Sequence, residues 1–254
     1  MKIQGANCPW KHRNISRIEN LPMRRIIVIT QREFADLVSQ PLQAAETDLR
    51  IEFAWTKDEL ERSVAANPVG ARLISLGSDI IVPAPVLNQL SGGAYKFHPG
   101  SPAYPGIFPS VFALYDNAAD FGVTLHEMAP EIDSGPIVAV EPIQVSPEWD
   151  RLALDTATFA VLQKMLTLFA PRLADVETPL PRSDIKWSTP RRTRKDFEAL
   201  CRLPEDADEV EFKRRYRAIG EGPDHAISIT RFGRTFRLVS EHQSGVVRGG
   251  QPVK

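Results

Sequence analysis

Short apolar runs alternate with polar stretches of helical spacing along the first two thirds of the chain. RRIIVIT (24–30) is continuous and β-branched, as a strand buried in a parallel sheet is, and LRIEFAW (49–55) and ARLISLG (71–77) follow as second and third strands. Between them, Phe34 to Ala45 predicts a helix interrupted near Pro41. TKDELERSVAAN (56–67), with a Thr cap and an acidic first turn, predicts a second helix. PAPVLNQL then opens with Pro at a helix start, GGAYKF is a strand, SVFALYDNA a helix, and FGVTLHEM and GPIVAVEPIQV are two more strands. Arg151 to Ala174 reads as a long amphipathic helix. Such alternation predicts an α/β fold built on a doubly wound, mostly parallel sheet.

Beyond that helix the pattern changes. The proline-rich stretch ETPLPRSDIKWSTP (177–190) is expected to leave the main domain, DEVEFKRRYRAI (208–219) to form a helix, and HAISITRFGRTFRLVS (225–240) a hairpin turning at Phe232 and Gly233. The expected organisation is a loose extension over residues 1–22, a main domain over 23–176 and a small C-terminal α+β subdomain over 177–254.

Composition narrows the class without naming an activity. With 254 residues, 43% hydrophobic and 25% charged, the chain can bury one sizeable core. No run of about 18 apolar residues is evident, and the first 22 residues lack the apolar stretch of a signal peptide, so a cytoplasmic protein without a membrane span is expected. Cys8 and Cys201 are the only cysteines, which fits a reducing compartment and argues against a disulfide framework. Neither a C-x-x-C nor an H-E-x-x-H spacing argues for a metal. The net charge is −1, yet residues from Arg182 onward are net basic and the rest net acidic. That tail is either a solvated mixed surface or an attractor of a phosphate-bearing substrate. Thr30, Gln31, Arg32 and Glu33 occupy the turn where a dinucleotide fingerprint would place glycines, so that class is disfavoured.

The chemistry concentrates in residues 96–137, KFHPGSPAYPGIFPSVFALYDNAADFGVTLHEMAPEIDSGPI. His98 follows one strand and Asp133 sits in a loop between two others, on either side of a helix-sized insert, so both loops can open at one sheet edge. His126 alternates along its strand and reads as structural or as pocket wall. The segment resembles the folate-dependent formyltransferases that act on methionyl-tRNA, glycinamide ribonucleotide and nucleotide sugars. His98, Pro99, Gly100, Pro105, Gly106, Gly122, Val123, Thr124, Asp133 and Gly135 fall where that family's pattern has them, and Lys96 stands where it has Asn.

The resemblance implies that His98 carries protons, that Asp133 orients it, and that Lys96 replaces an amide at the formyl oxygen. It implies N10-formyltetrahydrofolate as cosubstrate with no metal, its pterin held near Ile80, Ile81, Val82 and Pro83 and near Met128, Ala129, Glu131 and Ile132. The short tail resembles the sugar enzymes, which implies a small-molecule amine acceptor, a nucleotide-linked amino sugar. Arg191, Arg192, Arg194 and Lys195 are candidates for its diphosphate. Nucleic acid is disfavoured as a partner, with tRNA kept as an alternative, and a homodimer stays open. Three other readings stand beside the sugar transferase: a folate or nucleotide-sugar binding protein that lost turnover through Lys96, a formyl-tetrahydrofolate hydrolase, and a methionyl-tRNA formyltransferase.

Overall fold

The computed structural model describes residues 24–67, 69–221 and 226–239; the extension expected over 1–22 lies outside them. In chain order the elements are β1 (Arg25–Ile29), α1 (Ala35–Ala45), β2 (Arg50–Phe53), α2 (Lys57–Ala66), β3 (Ala71–Leu76), α3 (Ala84–Leu87), β4 (Ala94–His98), α4 (Pro109–Tyr115), β5 (Asp120–Glu127) and β6 (Ile137–Gln144). They are followed by α5 (Arg151–Ala174), α6 (Arg194–Cys201), α7 (Glu209–Ile219), β7 (Ser228–Arg231) and β8 (Arg234–Arg237).

Strands β1 to β6 form one sheet in the order β2-β1-β3-β4-β5-β6. The pairs among β1 to β4 are parallel, and β5 and β6 join antiparallel to complete it. Alternation along the strands sends Ile26, Val28, Ile74, Leu76, Tyr95 and Phe97 to one face, under α1 and α5. Ile27, Ile29 and Leu73 point to the other, under α2 and α3. A further apolar cluster joins α4 to Phe197 and Leu200 of α6 and to Ala218 and Ile219 of α7.

A buried cation closes the lower end of this sheet. Arg72, with no exposed surface, donates from Nε to the Gly92 carbonyl and from its two terminal nitrogens to the carbonyls of Arg172, Leu173, Asp175 and Thr178. Most of these lie at the C-terminal end of α5, where orphan carbonyls and the helix dipole favour a cation.

Four sequence expectations need revision. The helix over 34–45 is not interrupted: α1 runs through Pro41, and burial of Val38 and Leu42 offsets a cost of about 3 kcal/mol for the missing hydrogen bond. Helix α6 was not anticipated, although Thr193 and Asp196 form a capping box ahead of Phe197 and Leu200. Residues 177–190 do not depart from the sheet: Leu180 N–H donates to the Tyr95 hydroxyl at 3.0 Å and Ser183 N–H to the Ile137 carbonyl at 2.7 Å. Prolines end periodicity, but an extended strap can still find partners. Finally, α5 is long and apolar enough by composition to cross a bilayer, which the reading of no such span overlooked. Here Leu162, Leu166, Phe169 and Leu173 form a stripe buried on the sheet.

Candidate active site

The alternation of β4 builds the site. Tyr95 and Phe97 point into the core, so Lys96 and His98, two residues apart, share the opposite side. On the antiparallel neighbour β5, His126 pairs with Lys96 and Thr124 with His98, so His126 is carried to the same side as the two β4 residues. The β5–β6 loop then folds Asp133 over them, with φ 45° and its carboxylate fully buried. Gly135 allows this return, since a Cβ there would stand 1.9 Å from the Glu127 carbonyl oxygen.

Asp133 is the hub. Its Oδ1 lies 2.8 Å from Lys96 Nζ and 3.5 Å from His126 Nε2; its Oδ2 lies 3.2 Å from His98 Nδ1 and accepts the Gly106 N–H at 2.9 Å. The His126 approach falls short of hydrogen-bond geometry and leaves that nitrogen buried without a partner. The second nitrogen of each ring faces a carbonyl: His98 Nε2 is 3.0 Å from Tyr104 O, and His126 Nδ1 is 2.7 Å from Glu127 O.

Burial pushes the His98 imidazole down to about 4, against the pull of Asp133 and with a further push from Lys96, so the ring is neutral at pH 7. For Asp133, burial would raise the carboxyl, but His126, His98 and Lys96 outweigh it and hold the group well below the usual carboxylate range. The arrangement is a fixed anion beside an ammonium and a neutral base. Both ring nitrogens of His98 face acceptors, Nε2 the Tyr104 carbonyl and Nδ1 the Asp133 carboxylate, so a neutral ring turns one lone pair toward an oxygen and the imidazolium would satisfy both.

These groups form one wall of a cavity of about 520 Å³. Lys96, His98 and Asp133 line it together. Of the residues expected around the cosubstrate, Ile80, Ile81, Val82, Met128, Ala129, Glu131 and Ile132 line the same cavity; Pro83 instead precedes α3 as its N-cap. The basic residues of the tail divide. Arg194 lines the cavity, Arg191 Nε donates to the Asp133 carbonyl at 3.4 Å, and Arg192 pairs with Asp116 at 3.7 Å.

Sequence reasoning missed two contributors. Trp187 donates from Nε1 to the Gly135 carbonyl at 2.8 Å and stands edge-on to both rings, 5.5 Å from His98 and 5.0 Å from His126. It lies in the strap first read as a departing linker, so no local pattern singled it out. The second is the lacing of the strap to the His98 loop. Arg192 N–H donates to Pro105 O, Ile107 N–H donates to Arg192 O, and Gly106 at φ 103° permits the approach. A Cβ on Gly106 would meet Arg192 O at 2.2 Å.

Comparison with known proteins bears on the same region. The chain is 28% identical over 160 residues to a methionyl-tRNA formyltransferase of Thermotoga sp. (strain RQ2), a match spanning 59% of this chain and 50% of that one. It thus spans about half the length of the curated relatives it matches. The fold is similar to that of a sugar N-formyltransferase from Shewanella sp. FDAARGOS_354 (TM-score 0.70, 18% identity, 86% of this chain and 97% of that one). It is also similar to an N-formyltransferase from Helicobacter canadensis in complex with folinic acid and dTDP-3-aminofucose (TM-score 0.61, 15% identity, 83% and 85%). The family model described as formyl transferase matches residues 30–167, more than half of the chain, and on that match the protein belongs to the formyl transferase family.

Proposed function

We propose that this protein transfers a formyl group from N10-formyltetrahydrofolate to the amine of a nucleotide-linked amino sugar. The observation that carries the reading is the meeting of Lys96, His98 and Asp133 on one cavity wall in a chain of this family. The acceptor class draws support from the Helicobacter canadensis neighbour, whose complex holds folinic acid and an amino-sugar nucleotide, and from a fold similar over 97% of the chain of the Shewanella sugar N-formyltransferase.

The residues present fit the cosubstrate. Ile80, Val82 and Met128 make an apolar wall beside the polar groups, as a flat heteroaromatic ring requires, and Arg194 brings a cation to the same cavity. When bound, the cosubstrate supplies the formyl carbon and a leaving nitrogen. Lys96 has one N–H on Asp133 and two to spare for a carbonyl oxygen that turns negative. His98, neutral at pH 7, takes the proton that the acceptor nitrogen must lose. Once Nε2 gains that proton it has an acceptor waiting in Tyr104 O, while Asp133 faces Nδ1 and steadies the cation. The same proton can then pass to the leaving nitrogen.

The test is a screen of amino-sugar nucleotides with N10-formyltetrahydrofolate, read by mass spectrometry for a gain of one formyl group. A formylated sugar nucleotide is the expected result. Formate released at the same rate with and without amines would replace the transferase by a hydrolase, and folate binding without turnover would replace it by a binding protein.

A further inference from the structure

Two imidazoles and one carboxylate at this site present an imbalance of protons. Four ring nitrogens face four acceptors: His98 sees Tyr104 O and Asp133 Oδ2, and His126 sees Glu127 O and Asp133 Oδ1. Two neutral rings carry only two N–H groups, so two nitrogens must turn lone pairs toward oxygen. One falls on His126. Its 2.7 Å contact to Glu127 O fixes the proton on Nδ1 and leaves Nε2 bare, buried and without a partner, 3.5 Å from the carboxylate. An orphaned buried nitrogen aimed at a charged group needs a reason.

We infer that His126 is a positioning residue that shares Asp133 with His98, so that the carboxylate steadies a proton on one imidazole at a time. The charges count the same way. Lys96 already balances Asp133 at 2.8 Å, so each further cation at the hub meets a like charge. With His126 neutral, His98 can accept the acceptor's proton, because only the Lys96 ammonium then offsets the Asp133 charge that steadies it. With His126 protonated, Nε2–H closes on Oδ1, the hub already carries two cations, and His98 is a poorer base. His126 thus acts through Asp133 and sets the lower pH bound of turnover without touching substrate.

Other groups around the pair do not supply this coupling. Glu127 is engaged by Arg182 at 2.7 Å, Arg191 reaches the Asp133 carbonyl rather than its carboxylate, and Trp187 offers ring edges. Asp79, Glu131 and Arg194 line the cavity without a direct contact to either ring among the described residues.

The kinetic arm of the test rests on the proposed transfer; the spectroscopic arm does not. In 15N-histidine NMR of the full chain, the His98 ring should titrate in two steps, one coinciding with the titration of His126. In His126→Asn, whose amide can still donate to Glu127 O, His98 should titrate in one step, displaced upward. The acid limb of kcat/KM should move up with it and lose one proton of steepness. A single-step His98 titration in the wild-type chain, or one that His126→Asn leaves in place, overturns the inference whether or not the enzyme turns over. A change confined to melting temperature does the same.

Discussion

At the start of β3 the guanidinium of Arg72 is sealed from solvent, lies over the Tyr95 ring and donates to carbonyl oxygens. At the other end of the same parallel strands, Asp133 is equally sealed but meets an ammonium, two imidazoles and one backbone N–H. Arg72 cannot exchange its proton, and its partners are neutral dipoles with fixed roles. Three partners of Asp133 are groups that gain and lose protons, and the site opens on a cavity. A buried charge satisfied by backbone is a rivet; one satisfied by titratable side chains is a working part. Variants at the two ends should therefore separate stability from turnover.

The largest effect is expected from His98→Asn, which should lower kcat by about three to four powers of ten while a cooperative thermal transition persists. Stopped turnover caused by unfolding would erase the contrast with Arg72. Next comes Lys96→Ala, for which loss of one oxyanion donor predicts a fall in kcat of about two to three powers of ten with folate affinity nearly unchanged. Lys96→Asn should recover part of it. Full activity in Lys96→Ala would mean that its two remaining N–H groups do not meet the reacting oxygen.

At the other end, Arg72→Met should lower the free energy of unfolding by about 3 kcal/mol, because the buried carbonyls it leaves lose their donors. Turnover per folded molecule should hold, as measured by denaturant titration beside kinetics. The smallest effect concerns pH. His98 takes up its proton at 6.5 when unfolded and at about 4 when folded, so its contribution is complete above 6.5 and is lost as pH falls toward 4. Between pH 7 and 5 the wild-type chain should lose up to about 2 kcal/mol more stability than His98→Asn.

How much of this was legible in the sequence depends on whether the signal was local. Strands β1 and β3 were readable because both faces are covered and the apolar run is unbroken. Helix α5 was bounded correctly although its polar and apolar positions are only weakly segregated; its buried residues from Leu154 to Ala174 fall at helical spacing. His98 and Asp133 could be paired in advance because each flanks a strand whose loop opens at one edge. Trp187 and the Arg72 contacts were not legible, since they depend on pairings across 20 to 106 positions that leave no periodic trace. The Thr193 capping box is a local signal, with Asp196 three residues on.

The strap that carries Trp187 has a consequence for how the protein is made. Every strand of the main sheet and every residue of the Asp133 hub precede residue 145, whereas helix α5, which covers one face of that sheet, and the strap both follow it. The lacing of Arg192 to Pro105 and Ile107 and the indole beside the two rings arrive only later. The chain thus lays down the hub before the cover that closes over it.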